Sequence, residues 1–322
     1  MVVYETFLET IKQTLEERLG SEFTLSIQTI TKNNGLSLDG LCIGKTGEKV
    51  APTIYLNHFY KFYQDGIPIY EIMNDILLLY QANKLPDEVH LNDLTSPDHI
   101  KKRVIHRLIN ESANQAQLSD IPHISYPALD LCLVFCISVH ETQDNLLTAL
   151  IHNSHLNTWN LSFEELQQAA KVNTPILFPA RIRSLSEVIK DIALKSSSGD
   201  MNEDDLIDFF DTEPLSPPMY VLTNSTGMNG AACMLYDGIL KDFASCTDSD
   251  LIILPSSIHE VLIIPNSKNV AIDELADTVF AINQEEVPEE DRLSNHIYFY
   301  SRNEDQLSVV FTSSVPIGTK NP

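Results

Sequence analysis

The chain has 322 residues, 43% apolar and 20% charged, which excludes a disordered polypeptide and implies about two domains at ~100 to 200 residues each. Its 45 acids against 21 bases leave a net charge of −24, a field that disfavours direct nucleic-acid binding and favours cationic partners. The first residues lack a basic flank, and no stretch nears the ~18 apolar residues that cross a bilayer, so a cytoplasmic protein outside the membrane is expected.

Tyr4, Phe7, Leu8, Ile11, Leu15 and Leu19 recur at helical steps and Gly20 follows, so a first helix with one core face is expected. Phe23 to Thr31 and Leu36 to Ile43 flank Asn34-Gly35, a pair suited to a type I′ hairpin turn, and Val50 to Leu56 completes a meander. Asn57 is placed as the cap of a short aromatic helix that ends at Gly66, and Pro68 near the start of another. Ser96-Pro97 is expected to open a longer helix in which Ile100, Val104 and Leu108 form a stripe among Lys101, Lys102, Arg103 and Arg107. That basic cluster reads as a solvated face or an intramolecular partner for the acidic half.

Leu129 to Val139 and Asn145 to His152 read as strands around His140 to Asp144. Ser162 and Glu165 form a capping box for a helix through Lys171 that Asn173-Thr-Pro175 ends, and Ser184 to Leu194 supplies a further helix. Residues 196–218 have a linker composition, with Leu206, Ile207, Phe209 and Phe210 set among acids. The expected division is therefore an N-terminal α+β domain at 1–195, a linker at 196–218 and an acidic α+β domain at 219–322. Residues 196–322 hold 22 acids and 5 bases, a net of −17. The last part is expected to run strand (Tyr220 to Thr223), helix (Asn229 to Phe243), hairpin, helix (Ile272 to Asn283) and strands near Ile297 to Tyr300 and Leu307 to Phe311.

The strongest local pattern is Leu251 to Pro265, two β-branched apolar runs around a polar centre. Ser256, Ser257, His259 and Glu260 place nucleophile-like and base-like groups in five residues, so this hairpin turn is either scaffold or site. No Gly-x-Ser-x-Gly elbow surrounds those serines, and turn serines often bond their own backbone. Asn224 to Gly230 joins a strand to a helix start whose amides suit an anion, making Asn224, Asn229 and Gly230 candidate binding residues. If both loops share one end of a sheet, they line one polar cleft.

Other motifs fall short. Gly40-Leu-Cys-Ile-Gly44-Lys45-Thr46 has Asp39 where a phosphate loop needs glycine and reads as a turn of the meander. His140-Glu141 and His259-Glu260 lack the second zincin histidine, while His152 and His155 lack a third ligand, so neither metal nor cofactor is expected. Cys42, Cys132, Cys136, Cys233 and Cys246 are expected as reduced thiols, mostly in the core.

Three groups of segments carry a resemblance: Lys32 to Gly35 with Ala51 to Leu56; Trp159 to Ala169 with Asn173 to Pro175; and Tyr220 to Asn224 with Gly230 to Ala232 and Leu254 to Glu260. Together they resemble an uncharacterised family of cytoplasmic proteins of Firmicutes, across nearly the whole chain. The resemblance implies a bacterial host and suggests a mobile-element setting, and it brings no reaction and no catalytic residue. The resulting expectation is a non-catalytic binding or regulatory module with a protein partner whose surface is basic. Two alternatives stand beside it: a hydrolase with Ser256 or Ser257 as nucleophile and His259 as base, and an acidic inhibitor of a basic DNA-handling protein.

Overall fold

A computed structural model describes residues 2–46, 52–83, 96–141, 146–196, 217–255, 257–266, 270–311 and 317. The chain divides into two compact units, Met1–Leu94 and Thr95–Pro322, in an α+β architecture whose sheets are antiparallel.

In the first unit, α1 (Tyr4–Leu19) buries Phe7, Ile11 and Leu15 along one face and stops at Gly20, whose φ of 80° suits a residue without Cβ. The strands β1 (Phe23–Thr31) and β2 (Ser37–Lys45) pair from Phe23↔Lys45 to Thr31↔Ser37. Asn34 (φ 59°) and Gly35 (φ 73°) take the two left-handed positions that the hairpin turn requires. A short β3 (Thr53–Tyr55) joins β2, followed by α2 (Asn57–Gln64) and α3 (Ile69–Ala82). Leu25, Leu41 and Ile43 of the sheet share a buried cluster with the inner faces of the three helices. Asn57 does not cap α2: Leu56 holds that position, and Asn57 Oδ1 instead accepts the Asp39 amide at 2.8 Å. Gly40 to Lys45 lie within β2 and make no turn, because Gly40 to Cys42 pair with β3.

The second unit opens with α4 (Pro97–Lys101), then β4 (Val104–Asn110), α5 (Gln115–Leu118), β5 (His123–Tyr126), β6 (Leu131–Glu141) and β7 (Leu146–Leu150). The expected long helix after Pro97 is therefore one turn and a strand. The run Val104-Ile-His-Arg-Leu-Ile pairs residue for residue with β6, and cross-strand burial outweighs the helical spacing of Ile100, Val104 and Leu108. Next come α6 (Asn153–Trp159), α7 (Phe163–Leu177), β8 (Ala180–Ser184), α8 (Leu185–Ser196) and β9 (Tyr220–Asn224). The capping box that starts α7 forms as expected, with Glu165 N–H donating to Ser162 Oγ at 3.2 Å and Ser162 N–H to Glu165 at 3.0 Å. The helix runs on through Pro175, contrary to the expected stop at Asn173-Thr-Pro. There Asn173 Nδ2 donates to the Lys101 and Val104 carbonyls and Thr174 Oγ1 accepts the His106 amide, tying that turn to β4.

After β9 the expected single helix from Asn229 is two pieces, a 3-10 helix at Gly230–Leu235 and α9 (Ile239–Cys246), separated at Gly238 with φ 84°. The rest is β10 (Leu251–Leu254), β11 (Val261–Pro265), α10 (Ile272–Glu285), β12 (Ile297–Ser301) and β13 (Gln306–Phe311). A six-stranded sheet has the order β13-β12-β10-β11-β9-β8, and a four-stranded sheet has β4-β6-β5 with β7 also on β6. One cluster joins Leu108, Leu131 and Leu133 of the smaller sheet to Leu222, Ile253, Ile263 and Tyr298 of the larger, with the buried 3-10 helix among them. Ile252, Leu254 and Ile264 face the other way, onto Ala276 and Val279 of α10. The unbroken apolar run of β10 is thus buried on both faces. Since β8 pairs with β9, one sheet takes strands from both sides of residues 196–218, and the observed division lies at 94/95 instead. Leu206, Ile207, Phe209 and Phe210 lie outside the described residues.

Candidate functional site

The hairpin turn is built from its own backbone outward. β10 and β11 pair from Leu251↔Pro265 to Leu254↔Leu262, leaving 255–260 as the connection. Ser257 is buried, and its Oγ accepts the His259 backbone N–H at 2.9 Å, an interaction that shapes the turn. Ser256 lies outside the described residues. The Asn229 amide donates to His259 Nδ1 at 3.2 Å, so the ring proton of the neutral form sits on Nε2, which faces Asp291 Oδ1 at 3.2 Å. The Asp291 hydrogen bond pushes the imidazole pKa up, against the opposing pull of burial. Burial raises the Glu260 pKa, partly countered by His259 and by a hydrogen bond to Ser257. Both ring nitrogens are therefore committed, and Ser257 and His259 do not form a nucleophile–base pair.

The neighbouring loop closes on the same turn. Asn224 Oδ1 accepts the Thr226 amide at 3.0 Å, the Thr226 hydroxyl at 2.9 Å and the Gly227 amide at 2.9 Å, while its Nδ2 donates to Met228 O at 2.7 Å. Thr223 Oγ1 donates to His259 O at 2.8 Å, and the Ala231 amide to Ile258 O at 3.1 Å. The two loops meet at one end of the sheet, where they are bonded directly to each other. In the loop expected to receive an anion, the Asn229 amide donates to His259 Nδ1 instead, and the Ala231 amide also bonds the turn. Gly230 is required by close approach: a Cβ there would meet Thr223 Oγ1 at 2.2 Å, His259 O at 2.6 Å and Asn224 N at 2.7 Å.

Behind this junction, Asn224 and Asn229 line a small cavity with Ile105, His106, Arg107 and Cys136 from β4 and β6, and with Tyr236. Its open volume is about 10 Å³, the space of one water molecule. Burial pushes the His106 pKa down to about 4 and keeps the ring neutral. Its Nδ1 lies 3.4 Å from Thr174 Oγ1, while its Nε2 and the Nε of Arg107 are both buried without a hydrogen-bond partner. His106 and Tyr236 also border a larger hollow of about 380 Å³ with Lys171, Pro175 and Ile239. Sequence reasoning missed this pair because it assigned residues 104–108 to a helix; the alternative β-branched reading of Val104-Ile-His-Arg-Leu-Ile was the available signal.

The remaining candidates have partners within the fold. His155 Nδ1 accepts the His152 amide at 3.0 Å and His152 Nδ1 pairs with Asp120 at 2.7 Å, a reciprocal cap at the start of α6. Among the described residues no group of three or more His, Cys, Asp or Glu side chains is placed to hold a metal ion. The expected basic cluster is dispersed: Lys101 pairs with Glu165 at 2.6 Å, and Arg103 donates to Val139 O at 3.1 Å. Lys171, Arg183, Lys241 and Arg302 pair with Asp237, Asp191, Asp305 and Asp248. By contrast, Asp273, Glu274, Asp277, Glu285 and the adjoining Glu286 are exposed on α10 and its end, with no ion pair to any described residue. No helix among the described residues is long and apolar enough to cross a membrane.

The model of a family of unknown function, DUF5688, covers residues 4–302. No curated protein and no solved structure matches the chain.

Proposed function

The chain belongs to DUF5688, a family of unknown function, and we propose that it is a non-catalytic binding or regulatory module of the bacterial cytoplasm that engages a protein partner with a basic surface. One observation carries this reading: Lys101, Lys171, Arg183, Lys241 and Arg302 of the second unit pair with nearby carboxylates, whereas the carboxylates of α10 and its end are exposed and form no ion pair with any described residue. Like charges on one helix face repel one another, and a cationic surface relieves that repulsion while steering its own approach. The engagement of His259 and Ser257 by backbone groups supports a non-catalytic role, since a nucleophile needs a base free to take its proton. An inhibitor of a basic DNA-handling protein is a special case of the same surface chemistry.

The test is capture from a bacterial lysate with the full chain and with a variant carrying Asp273→Asn, Glu274→Gln, Asp277→Asn, Glu285→Gln and Glu286→Gln, read by mass spectrometry. The expected result is a basic protein retained by the wild type and lost from the variant. Equal capture by both would remove α10 as the binding surface.

A further inference from the structure

Given the basic partner proposed above, on which this inference rests, we propose that β13 receives an extended segment of that partner as a further strand of the six-stranded sheet. The segment alternates basic and apolar residues. β13 ends the order β13-β12-β10-β11-β9-β8, so the backbone groups on its outer side have no strand to pair with among the described residues. Folded proteins commonly guard such edges with charge, and the opposite edge does so. There β8 carries Arg181 and Arg183, both exposed, and Arg183 pairs with Asp191 at 2.8 Å. Gln306-Leu-Ser-Val-Val-Phe311 has neither a charge nor a proline. Its pairing with β12 is regular from Ser301↔Gln306 to Tyr298↔Val309 and slips only beyond, where Ile297 faces Phe311.

The two faces of β13 set the chemistry of the partner. Leu307 and Val309 pack against the cluster that joins the two sheets of the second unit, so apolar side chains of an added strand continue that face. On the other face Ser308 lies opposite Phe299, which packs with Ala276 and Val279 of α10. Asp273, Glu274 and Asp277 of that helix, like Glu304 just before β13, are exposed and form no ion pair with any described residue. Near the β12–β13 turn, Arg302 already pairs with Asp248 and Lys241 with Asp305. Basic side chains of the added strand therefore meet carboxylates that no described residue neutralises. A second copy of this chain would bring its own charge of −24 to the edge, which disfavours self-pairing.

The probe is a short peptide alternating arginine and valine, added to the full chain and followed by calorimetry and by residue-resolved amide exchange. Alternate amides of residues 306–309 should gain protection in the complex. N-methylating one alternate set of peptide residues should raise Kd about tenfold or more and the other set should not, because only one set turns its N–H groups toward β13. Salt-sensitive binding that is equal for all the peptides, with β13 exchange unchanged, would overturn strand pairing and leave the acidic surface standing. No binding by any peptide would overturn both. Protection of β13 that rises with protein concentration and needs no peptide would give the edge to a second copy.

Discussion

His106 and His259 both lie in the second unit, but their pKa values shift in opposite directions. Burial lowers the His106 pKa to about 4, so its neutral form favours the folded state above the unfolded value of ~6.5, and that contribution is lost as pH falls toward 4. In urea titrations the stability gained between pH 4 and pH 7 should shrink by on the order of 3 kcal/mol in His106→Gln. An unchanged pH dependence would contradict the burial argument. His259, raised by Asp291, contributes below ~6.5 and loses that contribution as pH rises through its folded value, so His259→Asn should flatten the alkaline side of the same curve. Gly230→Ala should cost about 2 kcal/mol or more, since the added carbon meets two backbone atoms that cannot swing away; a Tm equal to wild type would show the junction to be looser than its geometry. At this scale the residue types around Ser257 to Glu260 were legible in the sequence, and their roles were not. Whether a histidine faces a hydroxyl or a backbone amide depends on a loop thirty residues earlier in the chain.

Elements with one buried face and a local stop were legible: α1 ends at its glycine, the Asn34-Gly35 turn pairs its strands in register, and β10 and β11 form the hairpin their apolar runs imply. The failures share a cause. β4 carries residues that suit helical spacing and α7 passes through Pro175 while bonded to β4, so there tertiary pairing decides against local pattern; the segment after Asn229 splits at Gly238, where φ is 84°. Ser162 offers a direct check on the local part, because both bonds of its capping box form. Ser162→Ala should destabilise the second unit by about 1 kcal/mol, measured as a lower midpoint in urea with an unchanged slope. No change would mean that contacts with β4 alone hold α7.

For the whole molecule, the excess of acids was visible in composition, but its placement was not. Folding pairs Lys101, Lys171, Arg183, Lys241 and Arg302 with nearby acids and leaves the carboxylates of α10 and its end exposed without an ion pair to any described residue. The division at 94/95 was hidden because β8 and β9, separated by residues 196–218, meet only in the sheet. The most direct test of a charge-led binding role is the salt dependence of affinity, by calorimetry, for an arginine-rich peptide with the wild type and the five-carboxylate variant. Wild-type affinity should fall at least about tenfold between 0.05 and 0.5 M salt, with the variant already weak at low salt. Equal affinities for the two proteins, or a wild-type affinity indifferent to salt, would contradict it.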